Sequence, residues 1–427
     1  MKKGFTLVEL LAVIVILAVI LIIAIPQVLK AVDNSRNSAY TNQEQMIENV
    51  AKTYLAKNSG EAPNEIGETL FIDLGDLQEK NLIGEIRDAS NQQIICEGYV
   101  AITKIDFNDY DYKSFINCGE NYQTEGYAGI DFAYVDVLVV AGGGGGARTS
   151  SDTGGGGAGG LIFRPNYNIG EDLMFNVVVG NGGSYNNNGE NSVFNSLVAI
   201  GGGSGSTTAN NQTDGIAGGS GGGAGRNSGI GGDGLQPNQS GDSGLYGFGN
   251  RGGTNTGHIG TEGMGGGGAG EPGVDAIGIL ASIRHGGDGL YQVTPDDGPY
   301  DKIYNFKDMF GTQYGEIIDN EAWFAGGGGG GGERGTYTQN LGGRGGGGRG
   351  GHWNVEVSRN GYPGMVNTGG GGGGADNGTG GDGGSGIVIV RYPGPQKASG
   401  GIVYTFNGYT IHAFTELGGY TFEVFEF

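Results

Sequence analysis

The stretch that decides the first part of the fold is Met1-Lys-Lys-Gly-Phe-Thr-Leu-Val-Glu-Leu10, which continues without a polar residue to Ile25. Counted from Phe5, this segment has about 21 residues, enough for a helix to cross a hydrocarbon core of about 30 Å. Lys2 and Lys3 precede it, and basic flanks favour the cytoplasmic side. The sequence therefore predicts a single-pass membrane helix with its N-terminus inside the cell.

Glu9 is the one carboxylate near the start of this span. A lone charge at the centre of a membrane costs about 2.5–3.5 kcal/mol, so it normally has a partner. If the chain is cut after Gly4, Phe5 gains an α-amine that lies one helical turn from Glu9. Amine and carboxylate can then neutralise each other, within one subunit or between neighbours.

The string Gly4-Phe5-Thr-Leu-Val-Glu9 resembles the prepilin cleavage motif of type IV pilins and pseudopilins. The resemblance implies that a prepilin peptidase removes residues 1–4, that Phe5 is N-methylated, and that Glu9 guides assembly with the adjacent subunit. Pro26 resembles the helix-bending proline of many pilins. A secretory signal peptide would have a shorter apolar core with a small-residue cut site after it, and a simple signal anchor would not need Glu9.

The helical pattern continues beyond the apolar segment. Apolar residues recur at helical spacing until Asn58-Ser-Gly60, which predicts one helix over residues 5–58, roughly 80 Å long at 1.5 Å per residue. Residues 59–127 have ordinary composition, and their position resembles the small β head of pilin-like proteins.

The head contains the two cysteines of the chain, Cys96 and Cys118, each beside a strand-like segment. In an exported chain the pair is compatible with one disulfide, and two free or buried thiols remain the alternative. Three nearby acids lack the ligand ladder of an EF-hand, so a solvated acidic loop is favoured over a calcium site; they are Asp106, Asp109 and Asp111.

The second half of the chain is dominated by glycine, with 98 glycines in 427 residues against an average share of about 7%. A flexible linker is one interpretation. However, the apolar runs Val137–Val140 and Ile387–Val390 need burial. This favours extended glycine helices packed side by side through backbone hydrogen bonds. The tracts are Gly142–Gly146, Gly154–Gly160, Gly201–Gly205, Gly218–Gly225, Gly265–Gly270, Gly326–Gly332, Gly342–Gly351, Gly369–Gly374 and Gly380–Gly386.

The strings VDVLVVAGGGGGA from Val135 and GGSGIVIVRYP from Gly383 resemble a glycine-rich domain of phage tail-fibre adhesins and bacterial surface proteins. The resemblance implies a sandwich of polyglycine helices whose connecting loops recognise a receptor. The predicted fold is thus an α+β pilin-like part followed by a polyglycine-II/β domain. The predicted segments are a leader (1–4), a long helix (5–58), a small head (59–127), a glycine-rich domain (128–393) and a β-rich tail (394–427).

Binding residues are expected in loops of this domain. The largest insertion, Val274–Trp323, is rich in aromatic residues that either bind a sugar or protein surface or form a small core of their own. His352-Trp353 and Tyr362 form a second candidate loop. The candidate ligand residues of the insertion are Tyr291, Tyr300, Tyr304, Phe306, Tyr314 and Trp323.

Composition argues against several classes of function. A net charge of −22 disfavours nucleic acid binding, and the four histidines lack metal-ligand spacing. We expect no catalytic residue, metal or cofactor.

The favoured hypothesis is a minor or tip pilin with an adhesive glycine-rich domain; the alternative is a pseudopilin of a type II secretion or DNA-uptake system. Expected partners are prepilin peptidase, other pilins, membrane lipid before assembly, and an unknown surface receptor or glycan; expected locations are the cytoplasmic membrane and then the extracellular pilus or cell surface.

Overall fold

The computed structural model describes residues 7–127, 134–148, 152–170, 172–206, 214–226, 229–255, 262–276, 284–332, 340–353 and 358–425. They divide into two compact units, Met1–Gly129 and Ile130–Phe427. The predicted combination of a long N-terminal helix and a mostly β body is confirmed.

The first unit is built on helix α1, Leu7–Lys57, which contains Pro26. Over the described residues, no helix meets both the length and the apolarity that crossing a membrane requires. Helix α1 is followed by strand β1 (Thr69–Asp73), helix α2 (Leu74–Glu79), and strands β2 (Glu97–Asp106) and β3 (Asp109–Asn117), with antiparallel order β1–β2–β3.

The C-terminal half of α1 packs on this small sheet. Ile47, Ala51 and Tyr54 are buried at spacings of three and four residues, which is the stripe expected of a helix with one apolar face. Tyr40 stacks on Tyr122 with ring centroids 3.8 Å apart. The Tyr122 hydroxyl donates to Glu44 Oε1 at 2.9 Å, and burial together with this bond raises the pKa of Tyr122 to about 12. Helix and head therefore share one core.

Cys96 and Cys118 are joined by a disulfide within that core, where both are buried. The bond links the residue before β2 to the residue after β3. It therefore ties together the two open ends of the β2–β3 hairpin.

The second unit contains two antiparallel sheets. A six-stranded sheet has the order β16–β17–β14–β4–β5–β9, and a five-stranded sheet has the order β15–β18–β6–β7–β8. Two short hairpins, β10–β11 and β12–β13, belong to the insertion near residue 300. The strands are β4 (Tyr134–Val140), β5 (Leu161–Asn168), β6 (Met174–Val179), β7 (Ser192–Phe194), β8 (Leu197–Ala199), β9 (Gly247–Phe248), β10 (Gln292–Val293), β11 (Tyr304–Asn305), β12 (Glu316–Ile318), β13 (Glu321–Trp323), β14 (Ile387–Pro393), β15 (Ala398–Ser399), β16 (Ile402–Phe406), β17 (Tyr409–Phe414) and β18 (Gly418–Val424); the short helices are α3 (Asp242–Leu245) and α4 (Phe306–Phe310).

The inner strands β4 and β14 of the six-stranded sheet are buried on both faces. Val137 and Val139 of β4 point into the core shared with the five-stranded sheet. Their neighbours Leu138 and Val140 point to the opposite face, where the insertion covers them. This explains why β4 and β14 are apolar at nearly every position instead of alternating with polar residues.

The segment 394–427, predicted as a β-rich tail, contributes strands to this unit. Strand β17 pairs with β14 in the six-stranded sheet, and β18 pairs with β6 in the five-stranded sheet. The tail also fills the core, where Phe414 of β17 and Phe422 of β18 are buried.

The glycine tracts extend from the ends of these strands and pack as a hydrogen-bonded array, here called the glycine lattice (142–147, 154–160, 200–206, 218–224, 263–269, 326–332 and 369–374). In the central tract 154–160, successive backbone N–H groups donate to three different tracts in turn, and every third residue returns to the same one. This is the periodicity of a helix with three residues per turn. The bonds are Gly154 to Ser206, Gly155 to Met264, Gly156 to Gly372, Gly157 to Gly203, Ala158 to Gly267, Gly159 to Gly369 and Gly160 to Ile200.

The carbonyls of the central tract accept from the three remaining tracts, so all six other tracts surround it. Each neighbour is also bonded to the next around the ring. A Cβ atom at Gly156 would collide with the backbone carbonyl of Gly144. At such positions only glycine permits this spacing, so backbone hydrogen bonds take the place of side-chain packing there.

Candidate functional site at the distal face of the lattice

The insertion predicted to bind a ligand is a core element. Tyr300, Tyr304 and Phe306 are buried, and their rings lie 6.1, 5.2 and 5.6 Å from the ring of Phe163 on β5. The Tyr300 hydroxyl donates to the Phe163 carbonyl at 2.9 Å, and burial raises its pKa. Their burial favours the alternative of an aromatic core that covers the outer face of the six-stranded sheet. That these three residues contact a ligand stays a prediction.

The other three candidates of the insertion are partly buried. Tyr291 packs against Trp323 with ring centroids 4.5 Å apart, and Tyr314 packs against Tyr404 of β16 at 6.1 Å. These contacts lie in the layer that covers the six-stranded sheet. They agree with the alternative in which the aromatic residues of the insertion form a small core of their own.

The prepilin residues Gly4 and Phe5 lie outside the described residues, and so does the side chain of Glu9. Cleavage after Gly4, methylation of Phe5 and the assembly role of Glu9 therefore remain predictions.

The lattice has two unlike ends. Gly142 is separated from the end of β4 by Ala141 alone, and Gly160 directly precedes β5, so one end adjoins the sheets. At the other end, the N–H of Ala147 donates to the carbonyl of Gly154. We call this second end the distal face; its described residues include Ala147, Arg148, Asp152, Thr153, Ser206, Glu262, Arg284, Gly332, Asn340, His352 and Asp376.

The distal face holds a buried ionic cluster, the distal cluster, made by Asp152, Glu262, Arg284, Asn340 and Asp376. Arg284 Nη1 lies 3.0 Å from Glu262 Oε1, and Arg284 Nε donates to Asn340 Oδ1 at 2.9 Å. Asp152 and Asp376 face each other across an isolated antiparallel bridge. Burial lowers the pKa of Arg284, and the charges of Glu262, Asp152 and Asp376 oppose that change.

The ion pair and hydrogen bonds of the distal cluster join the ends of separate tracts. Among the residues that the structure describes, no group of three or more His, Cys, Asp or Glu side chains is arranged to hold a metal ion. Asn340 extends the cluster to a further segment, because its side-chain amide donates to the Gly351 carbonyl at 2.8 Å.

The exposed part of the distal face is aromatic and basic. Trp353 is 51% exposed and adjoins His352, which is 2% exposed. Tyr185 is 38% exposed, and the guanidinium of Arg148 lies 5.5 Å from the centre of its ring. The second loop predicted from the sequence thus divides: Trp353 lies at the distal face, whereas the backbone of Tyr362 lies along the flank of the lattice, bonded to Arg349.

Sequence reasoning missed most of this face. One signal in the sequence could have indicated this face: charged residues lie next to those ends of glycine tracts that are not followed or preceded by a strand. Asp152 and Asp376 illustrate it, because each is separated from a glycine tract by a single residue.

The N-terminal motif supports a type IV pilin-like or pseudopilin protein, and the same chain carries a glycine-rich domain. The chain belongs to the glycine-rich domain family, whose model matches residues 124–393. Residues 1–25 match the model of the prokaryotic N-terminal methylation motif. No curated protein and no solved structure matches the chain.

These matches confirm the predicted fusion of a prepilin motif with a glycine-rich domain. The methylation motif implies processing by prepilin peptidase and assembly with other pilins, and it suggests a membrane-anchored pilin exported to a pilus. Both modules are typically structural rather than enzymatic.

Proposed function

We propose that this chain is a minor or tip subunit of a type IV pilus-like filament and that it displays the glycine lattice as an adhesive module at the cell surface. The observation that carries the proposal is the arrangement of the distal face, where Trp353, Tyr185 and Arg148 are exposed at the end of the lattice opposite the sheets.

The chemistry of this face suits recognition of a surface receptor or glycan. Trp, Tyr and Arg are the residues most enriched among those that dominate binding energy at interfaces. Aromatic rings offer a large apolar area with little loss of side-chain entropy. The lattice beneath is fixed by backbone hydrogen bonds, so residues at its tract ends need little further ordering on binding.

Assembly follows from the N-terminal motif. Prepilin peptidase would remove residues 1–4, and the apolar helix would stay in membrane lipid until Glu9 pairs with the amine of a neighbouring pilin. With a net charge of −22, the mature filament surface would repel nucleic acid, which disfavours a role in DNA uptake.

The test compares sheared filaments on a glycan array and on receptor-bearing cells. Filaments with Trp353→Ala or Tyr185→Ala should lose binding, each by about tenfold, as expected for a hot-spot aromatic residue. The control is Phe107→Ala, because Phe107 is 80% exposed but lies in the β2–β3 hairpin of the first unit. Equal binding by all variants would refute the adhesive role of the distal face.

The pseudopilin alternative predicts a different distribution. A pseudopilin would be missing from the sheared fraction, and deletion of the chain would stop protein secretion or DNA uptake while leaving surface pili intact. That outcome would replace the tip-pilin proposal.

A further inference from the structure

We propose that a cleft at the end of the six-stranded sheet remote from the lattice binds a single sugar ring bearing a carboxylate. The cleft lies where β4 and β17 begin and where β5 and β14 end, and the insertion closes one side. It is separate from the distal face, so the inference goes beyond the adhesive function proposed above.

The size of the cleft limits the ligand. Its volume is about 200 Å³, which corresponds to roughly six or seven waters at about 30 Å³ each. Pockets for drug-sized ligands are larger, at about 300–1,000 Å³. The cleft therefore suits one ring rather than a folded peptide or an extended chain.

A rigid cation forms the base of the cleft. Arg391 is mostly buried, its Nε donates to Asp136 Oδ2 at 3.0 Å, and its Nη1 donates to the Met309 carbonyl at 3.2 Å. The ring of Tyr409 holds the guanidinium from one side, 4.1 Å from its centroid. Among the described residues no other acceptor is bonded to this guanidinium, so further N–H donors remain in a fixed plane. Such a planar fork matches the geometry of a carboxylate.

A second cation lies at the side of the cleft. Lys302 is exposed, with its Nζ 5.0 Å from the ring of Tyr304. Within the described ranges no carboxylate forms an ion pair with it, whereas the carboxylate of Asp136 already pairs with Arg391. The lining thus has an excess of positive charge, although the chain as a whole has a net charge of −22. This local excess favours an anionic ligand in the cleft.

The remaining lining suits the hydroxyls and the face of a sugar ring. Tyr134 and Tyr409 contribute phenol rings and hydroxyls at the mouth. Asp136 accepts from the N–H of Asn166 at 3.0 Å, so the carboxylate is fixed, and the Asn166 side-chain amide is exposed beside it. Aromatic faces with fixed polar groups at the edge are the combination that orients an amphipathic ring.

The test uses the detergent-solubilised full chain and saturation-transfer NMR titration with sodium glucuronate and with glucose, which lacks the carboxylate. Glucuronate should bind at least about tenfold more tightly than glucose. Lys302→Gln should weaken glucuronate about tenfold, because one charge-assisted hydrogen bond is lost. Lys307→Gln is the matched control: Lys307 belongs to α4 of the same insertion and its Nζ lies 4.0 Å from Asp308, so it should have no effect.

Three outcomes would overturn the inference: no binding of glucuronate by the unaltered chain, equal binding of glucuronate and glucose, or full retention of binding by Lys302→Gln. Trp353→Ala separates this site from the adhesive proposal. That variant should keep glucuronate binding even where it abolishes adhesion, so failure of one proposal does not imply failure of the other.

Discussion

Arg284 and Glu262 form an ion pair of 3.0 Å in which the two side chains are 0% and 2% exposed. A buried pair adds little net stability over apolar residues, but removal of one partner leaves an uncompensated charge that costs about 3–5 kcal/mol. The pair sits at the distal ends of two separate segments of the glycine-rich unit, and Asp152 and Asp376 add negative charge beside it.

Arg284→Met should therefore lower the free energy of unfolding of the second unit by about 3–5 kcal/mol. The double variant Arg284→Met with Glu262→Met should recover part of the loss, because both buried charges are then removed. Denaturant unfolding followed by circular dichroism measures the effect. The control is Arg251→Met, whose pair with Asp275 is much more exposed and should contribute no more than about 1 kcal/mol; equal losses for Arg284 and Arg251 would contradict the prediction.

The central position of tract 154–160 makes its glycines intolerant of any side chain. Gly156→Ala should destabilise the lattice by at least about 1–3 kcal/mol, the usual cost of overpacking, because its methyl group would meet the Gly144 carbonyl. Gly84→Ala is the control, since a Cβ there meets nothing within 4 Å. Thermal unfolding of the two variants side by side distinguishes them. A Gly156→Ala protein as stable as Gly84→Ala would show that the lattice can accommodate a methyl group at this position.

His412 makes the second unit sensitive to acid. Burial lowers its pKa from the ordinary value of 6.5, although a bond to the Gly400 carbonyl at 2.8 Å opposes this. If the neutral ring donates from Nδ1 to Gly400, its Nε2 accepts from the Tyr392 hydroxyl at 2.9 Å. The unfolded chain then takes up a proton before the folded one, so stability is full above about pH 6.5 and falls as the pH drops below that value.

The free energy of unfolding should therefore decrease between pH 7.5 and pH 5.5. In His412→Gln, that part of the pH dependence should disappear, whatever the overall loss of stability. An unchanged pH slope in the variant would show that other groups cause the acid sensitivity.

Glu9 should be essential for assembly but not for cleavage. In Glu9→Ala, the chain should still be cut after Gly4 and should accumulate in the membrane, because the carboxylate partner of the Phe5 amine is missing. N-terminal mass spectrometry of the membrane and sheared fractions measures both steps. Asp33→Ala removes another acid of α1 and should be incorporated normally; normal incorporation of Glu9→Ala would exclude the proposed amine–carboxylate pairing.

The parts of the fold that were predictable have short-range signals. Helix α1 follows from the periodic pattern up to Asn58, and β4 and β14 follow from apolar runs beside glycine tracts. The role of the insertion stayed open in the sequence, because Tyr300 and Phe306 fit a binding loop and a core equally well. The apolar run Val137–Val140 of β4 contained the deciding signal, since Leu138 and Val140 require a cover on the second face.

The distal cluster was not predictable, because it depends on which tract ends meet. Asp152, Glu262 and Arg284 come from three separate segments, and their proximity follows only from the ring order of the lattice. Backbone hydrogen bonds fix that order, and glycine runs of similar composition do not specify it by themselves.

The place of β4 in its sheet has a mechanical consequence. Strand β4 is the first described element of the second unit, and it is paired with β14 on one side and with β5 on the other. A pulling force on an attached filament would act along this strand, so the hydrogen bonds to both neighbours would be sheared together rather than unzipped one at a time. In the proposed adhesive role, attachment through this inner strand would load two rows of hydrogen bonds, whereas attachment through the edge strand β16 would load one.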